Sequence, residues 1–226
     1  MKRTALRFSV LGTCACAAAC ATEEPVAADV PVARTIEYVS GSGVIGIYGN
    51  TLPDPLVVKV KDQFGHGFPG AVVNFAVNGT VTLDRHSVTT SASGKAQVQF
   101  SFGLRAGVDT VTATVSGVSG NVLFIETANP GIAASLTVAT GNNQSGATGA
   151  PLGADMVVQV TDNAGNPTPN AEIVWTAARG TPAFTRNSTG ADGRATLRFS
   201  PAAGANAINV SVDRTSLTTA FSATGN

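Results

Sequence analysis

The side chains best suited to chemistry are few, and they stand apart along the chain. Among 226 residues there are only two histidines, His66 and His86, and neither lies in the sequence context of a catalytic nucleophile or base. The acidic residues are scattered singly, whereas glycoside hydrolysis needs a carboxylate pair. Two histidines and three cysteines are also too few for most zinc sites. We therefore expect no enzymatic activity, metal, cofactor or small-molecule substrate.

Two aspartates, Asp62 and Asp162, each begin an Asp-x-x-Gly sequence. A calcium ion takes six to eight oxygen ligands and usually several acidic side chains, but each of these loops offers one carboxylate. Asp side chains commonly accept hydrogen bonds from their own turn, and Gly supplies the positive φ that such turns need. The spacing therefore predicts two capped turns rather than two cation sites.

The loop that follows Asp62 is unusual because it carries two phenylalanines and a histidine. Exposed apolar clusters often mark contact surfaces, so Phe64, His66 and Phe68 form a candidate contact loop for a ligand or partner. The corresponding loop after Asp162 has Ala, Asn and Thr at these positions. The alternative is that both phenylalanines pack against the neighbouring domain or against the edge of the domain to which they belong.

The N-terminus has the pattern of a secretory signal peptide. Lys2, Arg3 and Arg7 precede an uncharged stretch over residues 8–19 that ends in small residues. A stretch of about a dozen residues is too short to span a bilayer, which needs about 20. The pattern predicts that residues 1–19 direct export and are then removed.

The sequence Ala17-Ala18-Ala19-Cys20 resembles the lipobox of bacterial lipoproteins, although Ala17 stands where that family prefers Leu. The resemblance implies that Cys20 becomes the first mature residue and carries lipid, so that the membrane is a partner. Because the next residue, Ala21, is not the Asp of the best-known inner-membrane retention rule, we expect the outer membrane. Two alternatives stay open: modification of Cys14, and ordinary cleavage that yields a secreted protein.

The rest of the chain contains an internal repeat of two similar units. Residues 56–75 and 156–175 align with seven identical positions, and all three cysteines lie before these units. We predict a signal peptide over 1–19, a flexible tether over 20–34, a first domain over 35–128 and a second over 132–226. The matched residues are Val57/Val157, Val58/Val158, Val60/Val160, Asp62/Asp162, Gly65/Gly165, Pro69/Pro169 and Ala71/Ala171.

Within each unit the apolar residues alternate with polar ones, as in Leu56, Val58 and Val60. A period of two places one face of a strand in the core and the other in water. Short β-branched runs separated by Gly, Pro, Asn and Asp are typical of antiparallel sandwiches. The pattern predicts an all-β protein of two tandem immunoglobulin-like sandwiches, with Phe75 and Trp175 at equivalent core positions.

The motif VxVxDxxGxxxPxAxVxF over residues 58–75, followed by Gly94-Lys95-Ala96 and by Thr-Val-Thr-Ala-Thr-Val over 110–115, resembles the bacterial Ig-like domain of group 1. Such modules form the tandem arrays of invasin- and intimin-like adhesins. The resemblance implies the sandwich fold and a cell-surface role, in which most modules act as spacers.

Composition and resemblance together predict a lipid-anchored, non-enzymatic protein of the cell envelope. Its expected role is adhesion, interaction with another envelope or host surface protein, or a passive spacer. The 14 basic residues balance the 14 acidic ones, which gives no basic field for nucleic acid. The alternative is an accessory protein of the cell surface that binds a carbohydrate or polymer.

Overall fold

The computed structural model describes residues 30–226. The predicted signal peptide, Cys20 and most of the predicted tether lie outside these residues. Two β-sandwiches follow one another within a single compact unit, Pro31–Asn226, which confirms the predicted fold class. The described part of the chain contains no helix, and thus none able to span a membrane.

The first sandwich pairs a three-stranded sheet, in the order β1-β3-β7, with a five-stranded sheet, in the order β2-β10-β9-β4-β6; β5 and β8 form a separate pair. Most neighbours are antiparallel, but β2 runs parallel to β10. The strands are β1 Ala33–Ser40, β2 Ile45–Ile47, β3 Leu56–Asp62, β4 Val72–Asn78, β5 Thr82–Leu83, β6 Ser87–Thr89, β7 Lys95–Val98, β8 Phe100–Ser101, β9 Gly107–Val115 and β10 Val122–Asn129.

The second sandwich repeats this topology strand for strand. Its sheets have the orders β11-β13-β17 and β12-β20-β19-β14-β16, with β15 and β18 as the separate pair. The strands are β11 Ser135–Thr140, β12 Gln144–Gly146, β13 Met156–Thr161, β14 Glu172–Ala177, β15 Thr181–Pro182, β16 Arg186–Ser188, β17 Arg194–Leu197, β18 Phe199–Ser200, β19 Gly204–Val212 and β20 Thr218–Gly225.

Each sandwich has its own hydrophobic core, filled by the alternating residues of both sheets. Phe75 and Trp175 are both buried and lie opposite Ala113 and Val210 on equivalent strands, as predicted. Val77 lies on the same face of β4, one residue before the strand ends, and is 36 % exposed.

The first two strands of each sandwich follow one another closely but lie in opposite sheets, so the chain changes sheet between them. In the first sandwich β1 pairs with β3, and β2 then pairs with β10 of the opposite sheet. Gly41 makes this crossing possible: its φ is 103°, and a Cβ there would lie 2.6 Å from the carbonyl oxygen of Pro55. Both the conformation and the close approach favour glycine.

Candidate functional site

The loop after β3 is organised by Asp62. Its buried carboxylate accepts the backbone N–H groups of Phe64 at 2.9 Å and His66 at 2.8 Å through Oδ1. Gly65 adopts a φ of 85° and donates its N–H to the Asp62 carbonyl at 3.1 Å. This is the capped turn that the Asp-x-x-Gly spacing predicts.

The three residues of the candidate contact loop do not share one environment. Phe64 is 52 % exposed, and its ring centroid lies 6.4 Å from that of His66, whose side chain is also exposed. Phe68 instead packs against the core of its own sandwich, and its backbone N–H bonds to the Val60 carbonyl. Of the three, Phe64 and His66 are therefore the exposed side chains.

The loop after β13 forms the same turn in the second sandwich. Oδ1 of Asp162 accepts the backbone N–H groups of Ala164 and Asn166, both at 2.9 Å, and Gly165 has a φ of 83°. Asn166 stands at the position of His66, but it is buried. Its burial results from contact with the first sandwich.

A joint between the two sandwiches is built on this second loop. Oδ2 of Asp162 accepts the backbone N–H of Gly131, in the segment that links the sandwiches, at 2.9 Å. The Asn166 side chain donates from Nδ2 to the Leu104 carbonyl at 2.8 Å, and its Oδ1 accepts the N–H of Ala106 at 2.9 Å. One loop thus binds both the linking segment and the β8–β9 loop of the first sandwich.

The two side chains of the joint also bind one another. Nδ2 of Asn166 donates to Oδ2 of Asp162 at 3.0 Å. Burial raises the pKa of the Asp162 carboxyl, but the N–H donors of Gly131, Asn166 and Ala164 outweigh this effect and hold the pKa below its usual range. The joint is therefore formed with Asp162 ionised.

Apolar residues surround the joint. Pro130 of the linking segment lines one cleft with Pro167 and Pro169 of the second sandwich. Gly131 lies against the ring of Tyr48, so that a Cβ there would come within 2.9 Å of that ring. A larger residue than glycine in this place would displace Tyr48.

Two buried carboxylates inside the first sandwich were not predicted from the sequence. They are charged residues at positions where the alternation along a strand predicts an apolar, inward-facing side chain. Asp109 and Glu126 lie opposite each other on β9 and β10, and both face inward. Oε2 of Glu126 accepts the N–H of Val44 at 2.7 Å, while its Oε1 has no hydrogen-bond partner. Burial raises the pKa of Glu126 more than this bond lowers it.

Trp175 and His86, the other residues of a type suited to binding or chemistry, make contacts within their own sandwiches. Trp175 is buried, and its indole Nε1 donates to Oδ1 of Asn187 at 2.7 Å. The His86 ring contacts the Phe75 carbonyl through Nδ1 at 3.3 Å. Across residues 30–226, no three His, Cys, Asp or Glu side chains come together as a metal-binding group.

Sequence reasoning did not identify Asn166 as a contact residue. The repeat aligns it with His66 and thereby describes both as turn residues. The available signal was the difference in residue type between the copies: the first loop has Phe64 and His66 where the second has Ala164 and Asn166.

Residues 50–125, most of the first sandwich, match the model of the bacterial Ig-like domain (group 1). The family resemblance expected from the motif is thereby confirmed for this segment. Whether the second unit is another member stays a prediction. No functionally curated protein matches the chain.

Several solved structures resemble the chain. Yersinia pseudotuberculosis InvD is 19 % identical over 80 % of this chain and 55 % of its own, with a TM-score of 0.55. Invasin, described as a bacterial integrin-binding protein, is 20 % identical over 85 % of this chain and 40 % of its own, with a TM-score of 0.40. The D0-D1 domain of intimin is 16 % identical over 84 % of this chain and 95 % of its own, with a TM-score of 0.34. At these identities the likeness to InvD shows the fold, and this chain spans about half of the InvD chain.

Proposed function

We propose that this protein is a non-enzymatic lipoprotein of the cell envelope that displays two Ig-like modules. The observation that carries the proposal is the joint: in the second loop Asn166 binds the first sandwich, and Asp162 binds the segment that links the two sandwiches. A loop that joins modules suits a protein whose task is to hold a surface at a distance from its anchor.

The anchor is proposed to be lipid on Cys20, with the outer membrane as its location. Support comes from the leader, in which a basic head, an apolar stretch and Ala-Ala-Ala-Cys precede the tether. Several acyl chains on one cysteine would anchor the protein stably, whereas a single chain binds membranes only marginally.

Mass spectrometry of the mature N-terminus, extracted from cells with detergent, tests the anchor. We expect Cys20 to be the first residue and to carry the mass of lipid, and the Cys20→Ala variant to lack it. An unmodified terminus at Ala21 or beyond would show a secreted protein and would overturn the lipoprotein proposal, while the two sandwiches would be unaffected.

The role at the surface is proposed to be adhesive, protein-binding or spacing, with Phe64 and His66 as the candidate contact. Phe64 is 52 % exposed on a turn that Asp62 fixes, so a partner would meet a preformed surface. This contact is tested with Phe64→Ser against Phe184→Ser, which alters an exposed phenylalanine of the second sandwich.

The probes for this test are arrays of host extracellular proteins and of envelope proteins from the same cells. Saturable binding that Phe64→Ser abolishes and Phe184→Ser leaves unchanged would support the contact. Binding that survives in Phe64→Ser would exclude this loop, and no binding in either array would favour the spacer.

Carbohydrate or polymer binding has less support, because aromatic platforms for sugars must be exposed and Trp175 is 1 % exposed. A saturable ligand on a glycan array, with none among the proteins, would favour this alternative.

A further inference from the structure

The lysines of the exported part of the chain are gathered on one surface. After the predicted leader the sequence contains three, Lys59, Lys61 and Lys95. They lie on β3 and β7 of the three-stranded sheet in the first sandwich, and the residues that alternate with them are buried, so all three point away from the core. We call this surface the lysine face.

The charges of the lysine face are only partly neutralised. Lys59 and Lys95 lie directly opposite each other on the two strands, and like charges in this arrangement destabilise a sheet. Within residues 30–226, Lys61 forms an ion pair with Glu37 at 2.6 Å, whereas Lys59 and Lys95 form none. A group of cations without enough counterions attracts an anionic ligand.

The fold does not require these lysines, because the second sandwich repeats the same sheet with one cation in place of three. Arg194 of that sandwich is not opposed by another charge and donates from Nε to Oε1 of Gln159 at 3.0 Å. The equivalent residues are Lys59/Gln159, Lys61/Thr161 and Lys95/Arg194.

An exposed aromatic ring lies at the end of the sandwich beside the lysine face. Phe64 is 52 % exposed, in the Asp62 turn that directly follows β3. The turn that precedes β7 packs against this loop, since a Cβ on Gly67 would collide with the Ser93 carbonyl. The second sandwich has Ala164 in place of Phe64. The aromatic ring and the lysines are thus together at one end of the first sandwich.

The chain also enters the first sandwich at this end. The Val32 N–H donates to Oε1 of Gln63, the residue before Phe64, at 2.8 Å. Pro31 follows Cys20 by eleven residues, which span at most about 40 Å when fully extended. A lipid on Cys20 would therefore keep this end of the sandwich within reach of a membrane, at a high effective concentration.

We propose that this end of the first sandwich docks on an anionic membrane surface, with the lysine face on lipid phosphates and Phe64 among the headgroups. Each lysine near such a surface strengthens binding about fivefold, and an aromatic ring suits the boundary between headgroups and acyl chains. The loops of this end contain no Asp or Glu that an anionic surface would repel; they are residues 63–70, 89–94 and 116–121.

The proposal names a partner for the candidate contact at Phe64, and it rests on the lipid anchor of the proposed function to bring this end to a membrane. The test omits the anchor. Failure of the docking and failure of lipidation at Cys20 are therefore separate results.

Vesicle flotation measures the docking. The mature chain, residues 20–226 with Cys20→Ala so that no lipid is attached, is mixed with vesicles of phosphatidylcholine alone or of phosphatidylcholine and phosphatidylglycerol in equal parts. We expect at least tenfold more protein on the anionic vesicles, since three lysines contribute about fivefold each. High salt should remove the difference, because it screens exposed charges.

Variants identify the surface that binds. Lys59→Gln with Lys61→Thr introduces the residues of the second sandwich and should reduce binding to anionic vesicles at least tenfold; Phe64→Ala should reduce it at least threefold. The matched control is Arg85→Gln with Arg105→Gln, which removes two positive charges from exposed sites elsewhere on the same sandwich. It should leave binding within twofold. All of these side chains lie at the surface, so circular dichroism should show an unchanged fold.

The lysines give a second readout, because they are the only side-chain amines in residues 20–226. Peptide mass spectrometry after treatment with an amine-reactive reagent should show Lys59, Lys61 and Lys95 modified at least threefold more slowly on anionic vesicles than on neutral ones.

Four results would each overturn the proposal. The first is equal binding to both kinds of vesicle. The second is binding that survives Lys59→Gln with Lys61→Thr, and the third is an equal loss with Arg85→Gln and Arg105→Gln. The fourth is lysines that react equally on both vesicles: slow reaction even without vesicles would mean that another part of the chain covers the lysine face, and protection only in intact cells would assign it to an acidic protein.

Discussion

Asn166 and Leu104 belong to different sandwiches, yet the side-chain amide of the first donates to the carbonyl of the second at 2.8 Å. The same amide accepts the N–H of Ala106 at 2.9 Å. A single side chain thus satisfies a donor and an acceptor of the β8–β9 loop and links the two sandwiches directly.

The Asn166→Ala variant should loosen the joint. It removes the partner of two backbone groups and one donor to Asp162, which we expect to destabilise the second sandwich by about 1–3 kcal/mol. NMR relaxation should show the two sandwiches tumbling together in the wild type and with different correlation times in the variant. His66→Ala, at the equivalent position of the first loop, is the control and should change neither property, because the His66 side chain is exposed. Joint tumbling in Asn166→Ala would show that the remaining contacts, including the bond from Gly131 to Asp162, suffice.

Acid should also weaken the joint. Because the pKa of Asp162 is lower in the folded protein than in the unfolded chain, its contribution to stability is complete above the unfolded value, about 4. That contribution is lost as the pH falls through the folded value. Urea unfolding followed by the fluorescence of Trp175, the only tryptophan, reports on the second sandwich.

We expect Asp162→Asn to reduce the loss of stability between about pH 5 and pH 2, the range in which carboxylates protonate. Asp155→Asn, which alters an exposed aspartate of the same sandwich, should keep the wild-type profile. If Asp162→Asn and the wild type follow the same curve, the carboxylate contributes nothing to the joint.

Glu126 should have the opposite dependence on pH. Burial raises its pKa in the folded protein, so the folded state retains a proton that the unfolded chain releases. The free energy of unfolding therefore falls as the pH rises from the ordinary glutamate pKa through the raised one. Hydrogen exchange of β9 and β10 should show that Glu126→Gln gains stability relative to the wild type over this range. Glu37→Gln, at an exposed site, should show no such gain.

The aromatic anchors of the two cores should matter equally. Phe75→Ala and Trp175→Ala each leave a large cavity, which typically destabilises a domain by about 3–5 kcal/mol. Thermal unfolding followed by circular dichroism measures the loss. Phe64→Ala, which truncates an exposed ring, should change the stability by less than about 0.5 kcal/mol. A small effect at either core position would mean that the surrounding side chains collapse into the space.

The alternation of apolar and polar residues predicts which strand residues of this protein face the core. Alternation along each strand identifies the inward residues, including Phe75 and Trp175, because a strand exposes its two faces in turn. The alternation does not apply to loop residues that other elements cover. Phe68 lies in a loop, yet it packs against the core of its own sandwich. The alternation also gives the wrong answer for Asp109 and Glu126, because they are polar residues that nevertheless face the core.

The joint and the pairing of β2 with β10 could not be predicted in the same way. Asn166 and His66 occupy equivalent positions of the repeat, and the neighbouring sandwich gives Asn166 its different surroundings. The apolar residues Ile45 and Ile125 are far apart in sequence and lie on adjacent strands through a parallel pairing. No local pattern specifies such a pairing, because it depends on the strand that changes sheet.

That change of sheet has a mechanical consequence. The chain enters the first sandwich through β1 and leaves it through β10, and β2 lies parallel to β10. Tension applied to the two ends of the sandwich would pull these parallel strands along their length in opposite directions. Their hydrogen bonds would then bear the load together, as in shear, instead of opening one after another. The first sandwich would therefore resist being pulled apart between its two ends more strongly than if its bonds opened singly.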